Sequence, residues 1–351
     1  MILSFSCDVI NISNYMNNTN INNKKRKVYM NYDGLNISDI IDHIDEKDRY
    51  IPSEMPVPKT NKVYFAFVGA MSKRYIKEFF YKKVKTYISN GVKLDITIND
   101  KSFLHNYMRK NHQDLFKKYF MAQYDIDNNY KVLDSLDSAK WYITKPIPGY
   151  SGMGQKIFLG NKGVREHIET FDRSTFESHS KKIQKWVIQE YIMNPLLIKH
   201  KKFHLRVIIL VYDNRALIHD DMKVISAKKE YTMGTMDKEV HDTHAKYTKD
   251  SEKTVFPKNH RDIDGWENIN NGIIAMFKKF NEIGLFKHAC YESKKCFRFL
   301  GVDVIITDDH QIKCLEMNYS PQIKLYPTKN ILKGMVEIII NKKESDHYVE
   351  L

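Results

Sequence analysis

The apolar positions along the chain change between strand and helix spacing from about residue 60 onward. "KVYFAFVG" (62–69) has the pattern of a strand, "KRYIKEFFYKKVKTYIS" (73–89) repeats apolar residues at intervals of three and four, and "VKLDITI" (92–98) alternates. "KSFLHNYMRKNHQDLFKKYF" (101–120) adds a second amphipathic helical stretch. This order predicts the strand, helix, strand start of an α/β lobe.

The middle of the chain predicts a glycine-rich loop between two strands. "KWYITKP" (140–146) and "KIFLG" (156–160) are strand-like and flank "PGYSGMG" (148–154). A dinucleotide-binding fingerprint would need a helix after the glycines, so we interpret the segment as a β-hairpin. A helical stretch is predicted to follow over 164–181.

Two apolar strands and one core helix are predicted farther along. "WVIQEYI" (186–192) and "KKFHLRVIILVY" (201–212) read as strands, the second ending at Asp213 and Asn214. The polar section over 231–266 predicts loops. One helical face then carries Ile269, Ile273, Met276, Phe277 and Phe280.

The stretch "GVDVIITDDHQIKCLEMNYSP" (301–321) places carboxylates inside apolar strands. If "TDDHQI" turns the chain, the facing pairs are Thr307 with Ile312, Ile305 with Cys314, and Asp303 with Glu316. Asn318 follows on the same face as Glu316, because side chains alternate along a strand. Two facing carboxylates are costly to bury without a cation, and an all-oxygen set suits Mg²⁺ shared with substrate phosphates. The alternative is an edge strand with solvated acids.

Cations upstream could meet such phosphates. Lys145 ends a strand before the glycine-rich loop, and Lys202 and Arg206 lie four residues apart in "KKFHLR". "QEYI" (189–192) ends a strand where backbone groups could contact a purine. Each of these features is also compatible with an ordinary strand surface. Their order along the chain favours one nucleotide site.

Charge and cysteines narrow the function classes only partly. The 351-residue chain has a formal net charge of +13, which suits nucleic acid, an anionic membrane surface, an acidic peptide or a polyphosphate ligand. Its four cysteines form no CxxC pair and no zinc-like spacing, which predicts a reduced protein. The chain lacks a signal-peptide pattern and an apolar stretch of about 20 residues. We therefore expect a cytoplasmic protein without membrane contact.

The segments "TKP", "VIQEYIMNPLLIKHKKFHLRVIILV", "HDTH", "FLGVD" and "LEMNYSP" occur in an order that resembles the tubulin tyrosine ligase-like branch of the ATP-grasp ligases. The resemblance covers about 101–332. It implies an ATP-grasp α/β fold, with two α/β lobes that enclose MgATP and an N-terminal α/β lobe. It also implies ATP-driven addition of an amino acid to a protein or peptide carboxylate through an acyl-phosphate.

The resemblance also implies a domain order and site residues. The expected divisions are a low-complexity leader over 1–55, an N-terminal lobe over 56–137, a central lobe over 138–192 and a C-terminal lobe over 193–345. The residues implied for catalysis are Lys145, Lys202, Arg206 and Glu316. Those implied for nucleotide binding are Lys101, Lys145, Gly152, Gly154, Gln189, Tyr191, Ile192, Lys202, His204 and Thr243. Those implied for Mg²⁺ are Asp303, Glu316 and Asn318.

Several positions depart from the family pattern. His204 stands where "KFDLR" has an acid, Ser151 where the loop has an arginine, and His244 where an asparagine is usual. A later strand arginine has no clear equivalent, and Lys223 and Lys228 are the candidates to replace it. The three implied Mg²⁺ ligands and Lys145 match the family pattern, which favours an active enzyme.

The substrate and two rival functions stay open at this point. The amino acid is Tyr, Glu or Gly, and the expected acceptor is an acidic tail such as that of tubulin, bound by a monomer. About thirty residues follow "LEMNYSP", which favours a compact ligase. One rival is a catalytically degenerate nucleotide-binding protein that serves a partner. A nucleic-acid-binding protein is disfavoured, because the chain carries no recognised module.

Overall fold

The computed structural model divides the chain into two compact units. The first contains residues 1–92, 290–297 and 323–345, and the second contains 93–289, 298–322 and 346–351. The structure describes residues 27–31, 60–68, 84–89, 92–147, 149, 152, 154–174, 183, 185–243, 254–255, 263–290, 295–319, 321, 328–339 and 342–351.

Strands outnumber helices among the described residues. The strands are β1 (Lys27–Asn31), β2 (Thr60–Val68), β3 (Val84–Ser89), β4 (Val92–Leu94), β5 (Gln123–Ile126), β6 (Trp141–Ile147), β7 (Lys156–Leu159), β8 (Lys185–Glu190), β9 (Leu197–Ile198), β10 (Lys201–Tyr212), β11 (Arg215–His219), β12 (Lys223–Ser226), β13 (Thr254–Val255), β14 (His288–Cys290), β15 (Lys295–Ile306), β16 (Ile312–Asn318) and β17 (Tyr348–Glu350). The α-helices are α1 (Lys101–Asn111), α2 (Gln113–Tyr119), α3 (Val164–Thr170), α4 (Lys238–His241), α5 (Trp266–Glu282) and α6 (Thr328–Ile339). A 3₁₀ turn spans Lys131–Ser135.

The first unit contains a parallel sheet. Strands β1, β2 and β3 pair in that order, and the first residues of β15 pair with β3. The helix predicted over 73–89 is wrong at β3, where "VKTYIS" is rich in the β-branched and aromatic residues that favour strands. The preceding residues, 69–83, lie outside the described part. Strand β1 also lies within residues 1–55, which were predicted to form a low-complexity leader.

Cysteine pairing in the first unit differs from the prediction of reduced thiols. Cys290 and Cys296 form a disulfide with 5.4 Å between their Cα atoms. The bond could not be predicted from the sequence, because a six-residue separation matches no common motif and only the chain path brings the two residues together. Cys314, in the second unit, is a buried free thiol.

One layer of the second unit is a four-stranded antiparallel sheet in the order β5, β8, β6, β7. Strands β6 and β7 form the hairpin predicted around the glycine-rich loop. The helix predicted over 164–181 is shorter than expected, since α3 ends at Thr170 and most of 175–184 lies outside the described part. Helix α3 packs on this sheet through one buried cluster. Its members include Val164 and Ile168 of the helix and Tyr142, Phe158 and Trp186 of the sheet.

The other layer places β10 between β15 and β11, with β16 on the far side of β15 and β17 beyond β11. Residues 207–211 of β10 are fully buried, which explains why their sequence is a continuous apolar run. The turn from β10 to β11 uses Asp213 and Asn214 with φ of 51° and 65°, as a two-residue hairpin turn requires.

Helices of the second unit match the sequence pattern only in part. The apolar face predicted for α5 is confirmed, because all five of its predicted core residues are buried. The single stretch predicted over 101–120 is divided into α1 and α2 at His112, whose backbone leaves the helical region. The strand predicted over 92–98 stops at Leu94. Among the described residues, none of the helices has the length and apolar character needed to cross a bilayer.

Replacing Asp100 by alanine should lower the free energy of unfolding by about 1 kcal/mol, because it removes the N-cap of α1. The Asp100 carboxylate accepts hydrogen bonds from the amides of Ser102 and Phe103, at 2.9 Å and 3.0 Å. Asp100→Asn is the matched control, since asparagine caps equally well. Urea unfolding checks the prediction, and equal midpoints for the two variants would contradict it.

Candidate active site

The ribbon formed by β15 and β16 carries the predicted carboxylates. Asp303 pairs with Glu316 and Gly301 with Asn318, as the predicted turn requires for the acidic pair. The pairing predicted beyond Asp303 is wrong, because a register shift after Asp303 pairs Val304 with Cys314 and Ile306 with Ile312. Such a bulge re-aims neighbouring side chains.

Each carboxylate of the pair is held by its own cation. Arg206 donates from Nε to Asp303 Oδ1 and from Nη2 to Oδ2, the latter at 2.8 Å. Lys101 Nζ lies 2.5 Å from Glu316 Oε2, and Asn318 donates to Glu316 Oε1 at 2.8 Å. Burial raises the pKa of Glu316, but the Lys101 ammonium and these hydrogen bonds outweigh it and hold the pKa well below its usual value.

Gly301 leaves room for the arginine of this pair. A Cβ at Gly301 would lie 2.7 Å from Pro321 Cβ and 3.3 Å from Arg206 Cδ. The first distance is below any normal contact, so a side chain here would displace Pro321 and crowd Arg206. Glycine at this position therefore lets the guanidinium reach Asp303.

Two buried lysines contact neutral acceptors rather than carboxylates. Lys145 Nζ donates to Gln189 Oε1 at 2.6 Å, and Lys202 donates to the Tyr191 hydroxyl while lying 4.1 Å from the centroid of that ring. Burial, with the charge of Lys101, lowers the pKa of Lys145 to about 8. Burial, with the charge of Lys145, lowers the pKa of Lys202 to about 7. An anion in contact with both would offset the cost of burying them.

His204 occupies the position where an acid was expected. Its Nδ1 lies 2.6 Å from Thr243 Oγ1, and its Nε2 lies 3.6 Å from Asp303 Oδ1. Nearby, Lys223 pairs in register with Arg206, and burial together with the Arg206 charge lowers the pKa of Lys223 to about 8. Lys228, the other candidate for the missing strand arginine, instead forms an exposed ion pair with Glu239.

Most of the predicted site residues line one cavity of the second unit. Lys101, Arg206 and Asn318 hold its carboxylates without lining it. The predicted residues that line it are Lys145, Gln189, Tyr191, Ile192, Lys202, His204, Thr243, Asp303 and Glu316. The lining residues that the sequence reasoning missed are Met121, Ile143, Gln155, Glu190, His241, Asp242, Ile305 and Leu315.

At the end of β8, two of the backbone amides that could have contacted a ligand already donate hydrogen bonds within the protein. The amides of Glu190 and Tyr191 donate to the carbonyls of Ala122 and Trp141, each at 2.8 Å. Gln189 uses its amide oxygen to hold Lys145. Ile143 and Ile192 give this part of the cavity apolar side chains.

Gly152 and Gly154 lie in the loop between β6 and β7, with φ of 67° and 72°. A Cβ on Gly154 would lie 3.1 Å from both Phe171 Cζ and Pro146 Cγ. Neither glycine lines the cavity, to which the loop contributes Gln155. Ser151 and His244, two of the positions that depart from the family pattern, lie outside the described residues.

Two histidines contact residues of the site. His105 Nε2 lies 3.5 Å from Gln189 Nε2, and burial with the charge of Lys145 lowers the pKa of His105 to about 3. His241 Nδ1 lies 2.7 Å from the Tyr191 hydroxyl, while its Nε2 lies 2.7 Å from the Thr235 carbonyl. His105 was identifiable in the sequence, since it follows Lys101 by four residues on one helical face.

The donor set fits Mg²⁺ and a polyphosphate. Carboxylate and amide oxygens of Asp303, Glu316 and Asn318 are the ligands that Mg²⁺ prefers. Lys145 and Lys202 supply buried positive charge beside them. The arrangement can therefore neutralise a highly charged anion from two sides.

Comparisons with known proteins identify the family of the chain and several relatives. Residues 81–347 match the model described as the Tubulin-tyrosine ligase family. The chain is 23% identical over 280 residues to "Probable tubulin--tyrosine ligase C12B10.04" of Schizosaccharomyces pombe, covering 71% of this chain and 68% of that protein. It is 25% identical over 231 residues to "Probable tubulin polyglutamylase ttll-9" of Caenorhabditis elegans, covering 58% of this chain and 52% of that protein.

A third relative and one solved structure extend the likeness. "Probable tubulin--tyrosine ligase PBY1" of Saccharomyces cerevisiae is 23% identical over 297 residues, which cover 67% of this chain and 38% of that protein. The solved structure described as "Crystal structure of the C-terminal domain from K. lactis Pby1, an ATP-grasp enzyme interacting with the mRNA decapping enzyme Dcp2" matches with a TM-score of 0.63 and 17% identity. It covers 93% of this chain and 98% of that one, which confirms the predicted ATP-grasp fold.

Replacing Lys202 by methionine should raise the free energy of unfolding below pH 7 by roughly 1–3 kcal/mol, because a buried charge is removed. The lysine pKa falls from 10.5 to about 7 on folding, so the unfolded chain binds more protons between these values. Wild-type stability therefore rises with pH across that window, and the advantage of the variant shrinks. Thermal unfolding at a series of pH values measures the difference.

Lys201→Met is the control for this experiment, because Lys201 lies on the same strand and is only half-buried. A stability gain of Lys202→Met that stayed constant from acidic to alkaline pH would contradict the account. So would an equal gain in the control.

Proposed function

Because the chain belongs to the tubulin-tyrosine ligase family, we propose that it is an ATP-dependent carboxylate–amine ligase that adds an amino acid to a protein or peptide. The observation that carries the proposal is the pair of buried ammonium groups, Lys145 and Lys202, beside the facing carboxylates Asp303 and Glu316. Buried cations held by neutral acceptors suit a phosphate, and the acidic pair suits a divalent cation.

The proposed reaction has two steps. An acceptor carboxylate oxygen attacks the γ-phosphorus of ATP, the bond to the β-phosphate oxygen breaks, and an acyl-phosphate and ADP form. An amine then attacks the acyl carbon, phosphate leaves with the bonding electrons, and the amine loses a proton as the amide forms. No covalent intermediate on the protein is required.

The residues of the site have separate tasks in this scheme. Lys145 and Lys202 offset the negative charge that spreads over the phosphoryl oxygens. Mg²⁺ held by Asp303, Glu316 and Asn318 would supply further charge neutralisation when bound. Arg206 and Lys101 hold the two carboxylates in place. Thr243 and His204 lie on the side of Asp303, where they can contact the nucleotide.

The net charge and the names of the relatives indicate which acceptor and which amino-acid donors to test first. A net charge of +13 suits an acidic peptide tail as acceptor. The names of the relatives include a tyrosine ligase and a polyglutamylase, so Tyr and Glu are the first donors to test, with Gly the third. The tubulin tail is the first acceptor to test.

A second candidate function is nucleotide binding without turnover. The observation in its favour is that Arg206 and Lys101 already form ion pairs with the two proposed metal ligands, while His204 replaces an acid. A protein of this kind would bind ATP and present a surface to a partner, in the way that K. lactis Pby1 is described as interacting with the mRNA decapping enzyme Dcp2. Turnover distinguishes the two functions.

Incubating the protein with MgATP, all amino acids and a panel of acidic peptides should give a peptide of increased mass. Mass spectrometry identifies the donor from the added mass and the linkage from the fragment ions. A neutral peptide of equal length is the control. ATP binding without ADP release or any peptide product would favour the second function.

Replacing Glu316 by glutamine, or Asp303 by asparagine, should reduce ADP release at least 100-fold, because each change removes a charge that binds the metal. Glu350→Gln is the matched control, since Glu350 pairs with Arg215 on an exposed strand. Circular dichroism checks that each variant is folded. A folded double variant with full turnover would rule out the assigned metal site.

A further inference from the structure

A second cluster of potential metal ligands lies in the second unit, outside the cavity. His219 ends β11, Asp220 follows it, and His347 precedes β17. The two strands pair antiparallel, with Leu217 opposite Glu350 and His219 opposite Tyr348. The pairing continues past the strand ends, because the Asp220 amide donates to the His347 carbonyl at 2.9 Å.

The three side chains converge on one point. One donor atom from each residue lies within 4.8 Å of the other two. The Asp220 carboxylate lies between the imidazoles, with Oδ1 3.5 Å from His219 Nδ1 and Oδ2 3.8 Å from His347 Nδ1. The two rings are nearly parallel, with centroids 6.1 Å apart.

The three side chains differ in their exposure to solvent. His219 is fully buried, with the Tyr348 ring edge-on at 4.9 Å, and its Nδ1 accepts a hydrogen bond from the Asp221 amide at 3.0 Å. Asp220 is exposed and His347 is half-buried. A metal bound here would have two imidazoles and a carboxylate from the protein and one side open to water.

We propose that His219, Asp220 and His347 bind a divalent transition-metal ion of the zinc class. Two imidazoles and one carboxylate are a usual ligand set for Zn²⁺, with bonds of about 2.0–2.2 Å. Such bonds place neighbouring donor atoms roughly 3.3–3.5 Å apart in a tetrahedron. Binding therefore requires the three donors, now within 4.8 Å of one another, to draw together, and His219 Nδ1 to exchange the Asp221 amide for the metal. Mg²⁺ prefers oxygen ligands and does not compete well for imidazole.

The consequence is a metal cross-link between the strand of His219 and the strand of Tyr348. The two strands are also joined by the ion pair of Arg215 with Glu350. A ligand that binds only the folded state raises the folded-to-unfolded ratio about 100-fold at 100 times its dissociation constant. Zinc should therefore hold β17 on β11 without taking part in the chemistry at Asp303 and Glu316.

The test is Zn²⁺ titration of protein without a histidine tag, in excess Mg²⁺ to occupy the oxygen ligands of the cavity. Calorimetry counts the bound ions, and visible absorption of Co²⁺ reports imidazole ligation. We expect the wild type to bind one zinc more than His347→Asn, and Asp220→Asn to bind that zinc at least tenfold more weakly. Zinc should raise the thermal midpoint of the wild type most, that of Asp220→Asn less, and that of His347→Asn not at all.

His200→Asn is the control, because His200 is exposed and its φ of 61° is accessible to asparagine. It should bind zinc as the wild type does. Equal zinc binding by the wild type, His347→Asn and Asp220→Asn would overturn the proposal, as would absence of binding. Stabilisation on acidification alone, with no bound zinc, would identify an imidazolium–carboxylate pair instead and would also overturn it.

Discussion

The site depends on an imbalance of buried charge. Asp303 and Glu316 face each other across a ribbon, and each is already compensated by a cation from another element. That leaves Lys145 and Lys202 buried against an amide oxygen and a phenol, which carry no negative charge. The lowered pKa values of both lysines express this cost. An incoming polyphosphate would relieve it, and a divalent cation would balance the carboxylates at the same time.

The backbone arranges these charges by bringing distant elements together. Lys101 begins α1, Lys145 lies on β6, Lys202 and Arg206 share β10, and Glu316 is on β16. Helix α1 begins at Lys101 because Asp100 caps it, and Gly301 leaves the space through which Arg206 reaches its partner. The N-cap of α1 and the glycine at position 301 therefore help to position Lys101 and Arg206, although neither feature carries a charged group of the site.

The sequence predicted the facing carboxylates and the hairpin around the glycines, because both follow from alternation and from turn residues close in the chain. It did not predict the register shift after Asp303, since a bulge leaves no mark on the apolar pattern. The ion pair of Lys101 with Glu316 joins residues far apart in sequence, which only the folded path reveals. Strand β3 was mistaken for helix because its apolar spacing suited both. The proposed zinc cluster was missed because His347 follows Asp220 by more than a hundred residues.

The central claim is that, among the described residues, Lys145 and Lys202 hydrogen-bond to neutral groups, and that the proposed nucleotide would bring phosphates into contact with both. Calorimetric titration of MgATP near pH 8, in two buffers of different ionisation enthalpy, measures the protons exchanged on binding. A phosphate beside these lysines raises their pKa values, so the account predicts net proton uptake, and Lys202→Arg should reduce it because arginine is always charged. Binding without proton uptake, or no binding at all, would contradict the account.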